Sequence, residues 1–151
     1  MEIEPLLAAT GLTFHFRSRG AAPGEVDVAV GDTTGELRRL TQLADLVFVG
    51  KSLPPHGEGQ TPVEAAAMAK PILFGPGMSN FRAIAEDLVQ RGAARTVADP
   101  AELATACVEL LRDPARRSAL ARAAAQWREE NAGAVKRTLA VLHEEFSRLK
   151  R

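Results

Sequence analysis

Five short runs rich in β-forming residues recur along the chain, and most are separated by segments with helical period. The runs are Leu12–Phe16, Val26–Val30, Leu46–Val49, Pro71–Phe74 and Arg95–Val97. The second and third are mostly apolar rather than alternating, which is typical of parallel strands covered on both faces. We therefore predict an α/β fold with a doubly wound parallel sheet flanked by helices.

The helical segments also show their start and stop signals. Leu37, Leu40, Leu43 and Ala44 share one helical stripe, and a second stripe over 81–89 stops before Gly92. Asp99-Pro100 and Asp113-Pro114 each place a capping residue before a proline at the first helical position. We predict a single domain over 1–151, in which residues 113–151 form a helical tail broken near Gly133.

Two side chains in this helical part are interpreted as packing residues. Cys107 lies on one helical face with four apolar neighbours, so we predict a small core residue rather than a nucleophile. These neighbours are Leu103, Ala106, Leu110 and Leu111. Trp127 is expected to pack where the helices meet.

Composition excludes several partners. The 151 residues carry 19 basic and 19 acidic side chains, and this balance argues against nucleic acid binding. The last forty residues are basic, which fits either a solvated helical surface or a weak contact with anionic lipid. One cysteine cannot form an internal disulfide, the scattered histidines predict no metal site, and no cofactor is expected.

Three glycine-rich and hydroxyl-rich turns follow consecutive strands, at the edge where parallel sheets bind ligands. They cover Gly31–Leu37, Gly50–Glu64 and Gly75–Phe81. Glycines let the backbone approach closely, and free amides at a following helix start attract phosphate. The residues best suited to this role are Gly57, Gly59, Gln60 and Thr61.

Individual residues of these turns have two interpretations. Thr61 to Glu64 and Thr33 to Glu36 each match the capping box, yet Glu64 would equally accept hydrogen bonds from ribose hydroxyls. Lys51 fits either a solvated lysine or a contact with a phosphate or sugar carboxylate. His56 is interpreted as a surface histidine, since no carboxylate accompanies it at ligand spacing. The nucleophile elbow, the Walker A motif and GxGxxG are absent.

Together these turns resemble the carboxy-terminal, nucleotide-binding domain of 3-deoxy-D-manno-octulosonic acid (Kdo) transferases, which are two-domain GT-B glycosyltransferases with Rossmann-like domains. The family's GDTxGEL segment is matched by Gly31 to Leu37, and its GxSL segment by Gly50 to Leu53. Its G-G-[HQ]-N-P-[LI]-E turn is matched loosely by Glu58 to Glu64, and its GPxxxNF segment by Gly75 to Phe81. Lys51 replaces a family glycine and Thr61 the family asparagine, while the turn before Gly59 is about one residue longer.

The resemblance implies transfer of Kdo from CMP-Kdo to a lipid A precursor at the cytoplasmic face of the bacterial inner membrane. It implies a peripheral membrane enzyme whose amino-terminal domain carries the catalytic carboxylate and binds the acceptor, with no catalytic residue in this chain. The expected donor-binding residues are Asp32, Thr33, Thr34, Gly35, Glu36, Gly50, Lys51, Ser52, Gly57, Gly59, Gln60, Thr61, Glu64 and Asn80.

Two other classes of function stay open: a sugar-nucleotide epimerase of the same fold, and a non-catalytic nucleotide-binding module. No strand precedes the helical pattern of Glu4–Thr10, so we expect a βα segment upstream of Met1. We expect the 151-residue chain alone to be inactive in transfer. We also expect it to self-associate or to fold its last helix back, because the stripe of Val135, Leu139, Leu142 and Phe146 would lack its cover.

Overall fold

The structure, a computed structural model, describes residues 3–149, except for the side chains of 134–137, 145 and 149. The chain divides into two compact units, Met1–Leu43 and Ala44–Arg151. Each unit is built from parallel strands and helices, as the alternating sequence pattern predicts.

The first unit contains a two-stranded parallel sheet. Its elements are α1 (Ile3–Ala8), β1 (Phe14–Phe16), β2 (Val28–Val30) and α2 (Leu37–Leu43). Phe14 pairs with Val28 and Phe16 with Val30. The Asp27 carboxylate accepts hydrogen bonds from the Thr13 amide at 2.8 Å and from its hydroxyl at 2.7 Å, which fixes the start of both strands.

The second unit contains a three-stranded parallel sheet in the order β3–β4–β5. Its elements are β3 (Val47–Val49), α3 (Val63–Ala67), β4 (Ile72–Phe74), α4 (Arg82–Gln90), β5 (Ala94–Thr96), α5 (Pro100–Arg112), α6 (Pro114–Asn131) and α7 (Ala134–Leu149). The register pairs Val47 with Ile72 and Ile72 with Ala94. All five strands therefore lie where the apolar runs predict them.

The central strand β4 is buried on both faces of the sheet. Ile72 and Phe74 pack in one cluster with residues of α3, α4 and α6. Leu73 points to the other face, where Ala106 and Leu110 of α5 cover it. For β2 and β3, the two strands for which two covered faces are predicted, the prediction is wrong, because Ala29 and Phe48 are exposed.

The predicted helix starts are confirmed. The Asp99 carboxylate accepts from the Glu102 amide at 2.8 Å, and Asp113 accepts from the Arg116 amide at 2.9 Å. Cys107 packs partly buried against the α5 side of the sheet, as predicted, whereas Leu111 is exposed. The Glu102 carboxylate also accepts from the amide of Ala98, the residue before the cap, at 2.7 Å, so both side chains satisfy backbone donors at the start of α5.

Trp127 of α6 is buried in the second unit and ties two helices together. Its indole N–H donates to the Asp87 carboxylate of α4 at 2.7 Å. Arg91, the residue that caps the end of α4, binds the same carboxylate at 2.7 Å and also pairs with Glu130 of α6. The Arg91 guanidinium, followed by the indole, holds the pKa of Asp87 below its usual value.

Candidate functional site

Two turns at the carboxyl edge of the second sheet are joined by backbone hydrogen bonds. The β3 turn (50–62) follows β3, and the β4 turn (75–81) follows β4. The Gly77 amide donates to the Ser52 carbonyl at 2.8 Å, and the Ser79 amide donates to the Gly57 carbonyl at 3.0 Å. The Asn80 amide donates to the Glu58 carbonyl at 3.1 Å. The structure thus brings the predicted residues of these two turns together.

Ser52 lies fully buried beneath this junction. Its hydroxyl donates to the Val49 carbonyl at 2.5 Å and accepts from the Gly75 amide at 2.8 Å. The side chain therefore connects the ends of β3 and β4. The Ser52 hydroxyl is thus occupied by the backbone at the ends of these two strands, and the side chain contributes to the site by holding the shape of the β3 turn.

The β4 turn needs its glycines because the two turns touch. A Cβ on Gly75 would lie 2.1 Å from the Ser52 carbonyl oxygen, and a Cβ on Gly77 would lie 2.6 Å from the His56 carbonyl oxygen. Both distances are far below van der Waals contact. The glycine content of this turn is therefore explained first by close backbone approach.

The predicted anion-binding amides of the β3 turn already have acceptors. The Gly59 amide donates to the Lys51 carbonyl at 2.9 Å, and the Gln60 amide donates to the Gly50 carbonyl at 3.1 Å. The Gly57 amide donates to the Glu58 carboxylate at 3.1 Å. The expectation of free amides at these three residues is wrong, because the turn folds back on itself and satisfies them internally.

Glu58 is the residue that the sequence interpretation missed. Its carboxylate lies 3.6 Å from His56 Nδ1 and 4.0 Å from Lys51 Nζ. Hydrogen bonds from its own amide and from that of Gly57 hold the pKa of Glu58 below its usual value. The statement that no carboxylate accompanies His56 is therefore wrong. One feature of the sequence could have pointed to this carboxylate: Glu58 stands where the family's turn has its first glycine.

Lys51 has the backbone conformation of a glycine. Its φ is 53°, in the left-handed region that L side chains seldom adopt. The Kdo transferase motif has glycine at this position, so the local backbone follows the family pattern although the residue does not. The exposed ammonium group extends toward Glu58 at the edge of the turn.

The capping box predicted for Thr61 to Glu64 does not form. Helix α3 begins at Val63, and its capping position is held by Pro62, which has no side-chain acceptor. The Thr61 hydroxyl instead accepts from the Val63 amide at 3.3 Å. The Glu64 carboxylate is exposed and has no hydrogen bond or ion pair among the described residues. The structure therefore does not show the capping role, and ligand binding by Glu64 stays a prediction.

The β2 turn (31–36) of the first unit is organised by its own acidic residues. Asp32 accepts from the Ser18 hydroxyl at 2.5 Å and from the Ser18 amide at 2.8 Å, and these bonds hold the pKa of Asp32 below its usual value.

Glu36 of the same turn accepts from the Thr33 hydroxyl and pairs with Arg17 at 3.2 Å. Helix α2 begins at Leu37, so Glu36 stands before the helix and the predicted capping box is wrong here too. Thr34 and Gly35 are exposed, and Gly35 has a φ of 86°.

A cavity of about 580 Å³ opens at the carboxyl ends of β4 and β5, within the second unit. This volume lies in the range of small-molecule sites, about 300–1,000 Å³. Phe74, Met78 and Ala85 supply buried apolar surface at the cavity. Ser79, Arg82, Glu86, Gln90 and Thr96 supply its polar side chains.

The chain is similar to curated proteins named 3-deoxy-D-manno-octulosonic acid transferase. The protein of Bordetella pertussis is 39% identical over 140 residues, which are 91% of this chain and 32% of that protein. The protein of Haemophilus influenzae is 34% identical over 142 residues, or 93% of this chain and 33% of that protein. The chain thus spans about a third of the length of these relatives. No protein-family model matches it.

One solved structure has a fold similar to that of this chain. The C-terminal CMP-Kdo binding domain of WaaA from Acinetobacter baumannii has a TM-score of 0.77 and 26% sequence identity. The match covers 83% of this chain and 65% of that one. Parallel sheets flanked by helices, with glycine-rich turns at their carboxyl edges, thus define a carboxy-terminal domain of the GT-B glycosyltransferase class.

Within that class, the chain corresponds to the carboxy-terminal domain of the Kdo transferases. The motifs that carry the resemblance, from Gly31 to Phe81, all lie inside the matched region of about 91% of the chain. The family resemblance predicted from these motifs is therefore confirmed.

Between residues 3 and 149, no helix has the length and apolar character needed to cross a membrane. In the same part of the chain, no group of three or more histidine, cysteine, aspartate or glutamate side chains is arranged to hold a metal ion.

Proposed function

We propose that the chain is the donor-binding domain of a Kdo transferase. In the whole protein it would bind CMP-Kdo while the sugar passes to a lipid A precursor at the cytoplasmic face of the inner membrane. The observation that carries this proposal is the match of 83% of the chain, at a TM-score of 0.77, to a domain described as CMP-Kdo binding.

The geometry of the second unit supports a nucleotide at the carboxyl edge of its sheet. The exposed Glu64 carboxylate is free to accept hydrogen bonds from two ribose hydroxyls. Lys51 places a positive charge at the same β3 turn. The cavity beside the β4 turn offers apolar surface and hydroxyl groups together, as sites for nucleotide sugars require.

The chemistry needs stabilisation of the departing phosphate. When an acceptor hydroxyl attacks the anomeric carbon of the donor, the bond to the CMP phosphate breaks and negative charge grows on that phosphate. A positive charge at the edge of the sheet, such as that of Lys51, lowers the energy of this state. We assign the catalytic carboxylate and the acceptor site to an amino-terminal domain of the whole protein.

The remaining predicted contacts are part of this proposal. Asp32 and Glu36 of the β2 turn, like Ser52 of the β3 turn, are engaged within the protein, and each would shape the turn in which it lies. The other predicted contacts are exposed or lie on backbone turns: Thr33, Thr34, Gly35, Gly50, Lys51, Gly57, Gly59, Gln60, Thr61, Glu64 and Asn80.

Calorimetric titration with CMP, UMP and UDP tests the proposed function. We expect CMP to bind and UMP to bind at least about tenfold more weakly, because a site that hydrogen-bonds the cytosine edge leaves polar groups unpaired against uracil. Preference for UDP would favour the epimerase class, and absence of binding by every nucleotide would contradict the proposed function.

A further inference from the structure

The cavity beside the β4 turn has one positive and one negative side chain among its lining residues. These are Arg82, the first residue of α4, and Glu86, one helical turn later. Both side chains are exposed, so both groups are open to a ligand that enters the cavity. The resemblance motif ends at Phe81, and neither residue belongs to the predicted site.

Arg82 differs from the arginines packed elsewhere in this unit. Arg91 pairs with Asp87 and Glu130, and Arg95 pairs with Glu102 and Glu109. Arg82 makes no ion pair or hydrogen bond with the residues that the structure describes. The donors of its guanidinium are therefore not satisfied by the described part of the protein.

The surroundings favour an anionic ligand group over a solvated arginine. Ser79 and Thr96 bring hydroxyl groups to the same cavity, and Phe74 and Met78 contribute buried apolar surface. A guanidinium binds phosphate and carboxylate through two parallel hydrogen bonds.

We propose that Arg82 is a donor-binding residue that pairs with an anionic group of the nucleotide sugar, and that Glu86 accepts hydrogen bonds from its hydroxyls. This inference rests on the proposed function and extends it. CMP-Kdo carries two groups of the required chemistry: the phosphate of CMP and the carboxylate of the sugar acid. Because Arg82 and Glu86 are four residues apart on α4, the anionic end of the ligand lies toward the start of that helix.

Opposite substitutions on one helix face test the proposal. Arg82→Gln removes the positive charge and should weaken binding of the anionic ligand about tenfold or more, the loss expected for a charge-assisted hydrogen bond. Glu86→Gln removes the proposed acceptor of the ligand's hydroxyls and should weaken nucleotide binding, whereas binding of inorganic phosphate, which has no such hydroxyls, should stay unchanged or become stronger. Arg82→Lys should restore part of the affinity, and Arg112→Gln, at the exposed end of α5, should have no effect.

Calorimetry with cytidine, CMP and CMP-Kdo identifies the anionic group. Weaker CMP binding by Arg82→Gln, with unchanged cytidine binding, assigns the phosphate. Unchanged CMP binding with weaker CMP-Kdo binding assigns the sugar carboxylate. Equal affinities of Arg82→Gln and the unaltered chain for both anionic ligands would overturn the proposal.

A titration with inorganic phosphate separates this inference from the proposed function. Should the unaltered chain bind no nucleotide, the proposed function fails. The Arg82 inference is then decided by the amide resonances of Ser79, Arg82 and Thr96. Phosphate should shift them in the unaltered chain and not in Arg82→Gln, and the absence of such shifts in the unaltered chain contradicts the inference.

Discussion

Glu64 and Glu102 are two glutamates near helix starts that differ in their contacts within the protein. The Glu102 carboxylate accepts from the Ala98 amide and pairs with Arg95, so it closes its helix end. Those bonds, the Ala98 amide first, hold the pKa of Glu102 below its usual value. The Glu64 carboxylate has no such partner in the described part of the chain. The two residues are of the same type, and their position relative to the capping residue of the helix decides whether the carboxylate has a partner within the protein.

Glu64→Gln should therefore weaken CMP binding about tenfold and leave the unfolding midpoint unchanged, because a charge-assisted hydrogen bond to ribose is lost. Glu102→Gln is the matched control and should lower the unfolding midpoint without changing CMP affinity. Calorimetry and urea unfolding measure the two properties. Equal CMP affinity of Glu64→Gln and the unaltered chain, with the fold intact, would end the ribose assignment.

The left-handed backbone at Lys51 can be tested by substitution. A left-handed backbone costs an L residue roughly 1–2 kcal/mol, and glycine avoids that cost. Lys51→Gly should be more stable than Lys51→Ala by about 1 kcal/mol, since both lack the ammonium group and differ only in Cβ. Urea unfolding of the two variants gives this difference, and equal midpoints would show that the turn is not strained at this residue.

Helices α4 and α6 are joined by a polar link whose strength depends on pH. Asp87 receives hydrogen bonds from Arg91 and from the Trp127 indole, and both lower its pKa from the ordinary value of 3.8. A lowered pKa in the folded state means that the carboxylate stabilises the fold above pH 4. This stabilisation is lost as the pH falls through the folded-state pKa.

Asp87→Asn should lower stability at pH 7 by about 1 kcal/mol and flatten the decline in stability below pH 4, because the titrating partner is gone. Glu86→Gln removes an exposed carboxylate on the same helix and is the control. In this variant the decline in stability below pH 4 should remain. Trp127 is the single tryptophan of the chain, so its fluorescence reports unfolding directly. If the stability of Asp87→Asn fell below pH 4 as steeply as that of the unaltered chain, the proposed role of Asp87 in joining α4 and α6 would be contradicted.

At the scale of elements, periodicity predicted most of what the backbone does. The five apolar runs became β1 to β5, and Asp99 and Asp113 began α5 and α6 as expected. These features depend on neighbouring residues alone. The His56–Glu58 contact and the left-handed φ of Lys51 depend on how the β3 turn folds back, which its composition does not specify.

The candidate site shows the same division. The motifs identified the two turns that the structure joins, while the acceptors of the Gly59 and Gln60 amides are carbonyls that no motif encodes. Arg82 and Thr96 reach one cavity only because β4 and β5 are neighbours in the sheet. Such long-range placements come from the fold rather than from local sequence.

Over the whole molecule, α7 presents apolar side chains without cover. Leu139, Leu142 and Phe146 are 60%, 46% and 62% exposed, so the expectation that the last helix folds back on its own body is wrong for these residues. Val135, which the predicted stripe also includes, lies outside the described side chains. Exposed apolar stripes of this kind favour association.

The 151-residue chain should therefore self-associate as its concentration rises, through α7. Phe146→Glu should reduce the association, because a buried charge opposes it, while Arg148→Glu changes charge on the same helix without removing apolar surface. Light scattering coupled to gel filtration measures the mass of each variant. A monomer at every concentration would contradict this prediction.

The central claim is that the carboxyl edge of the β3–β4–β5 sheet binds the CMP part of a nucleotide sugar. The most direct measurement is the change in amide resonances when CMP is added to the isotope-labelled chain. We predict shifts over residues 50–64 and 75–82 and at Thr96, with no comparable shifts in α5 or α6. Shifts confined to other surfaces, or none at saturating CMP, would contradict the account.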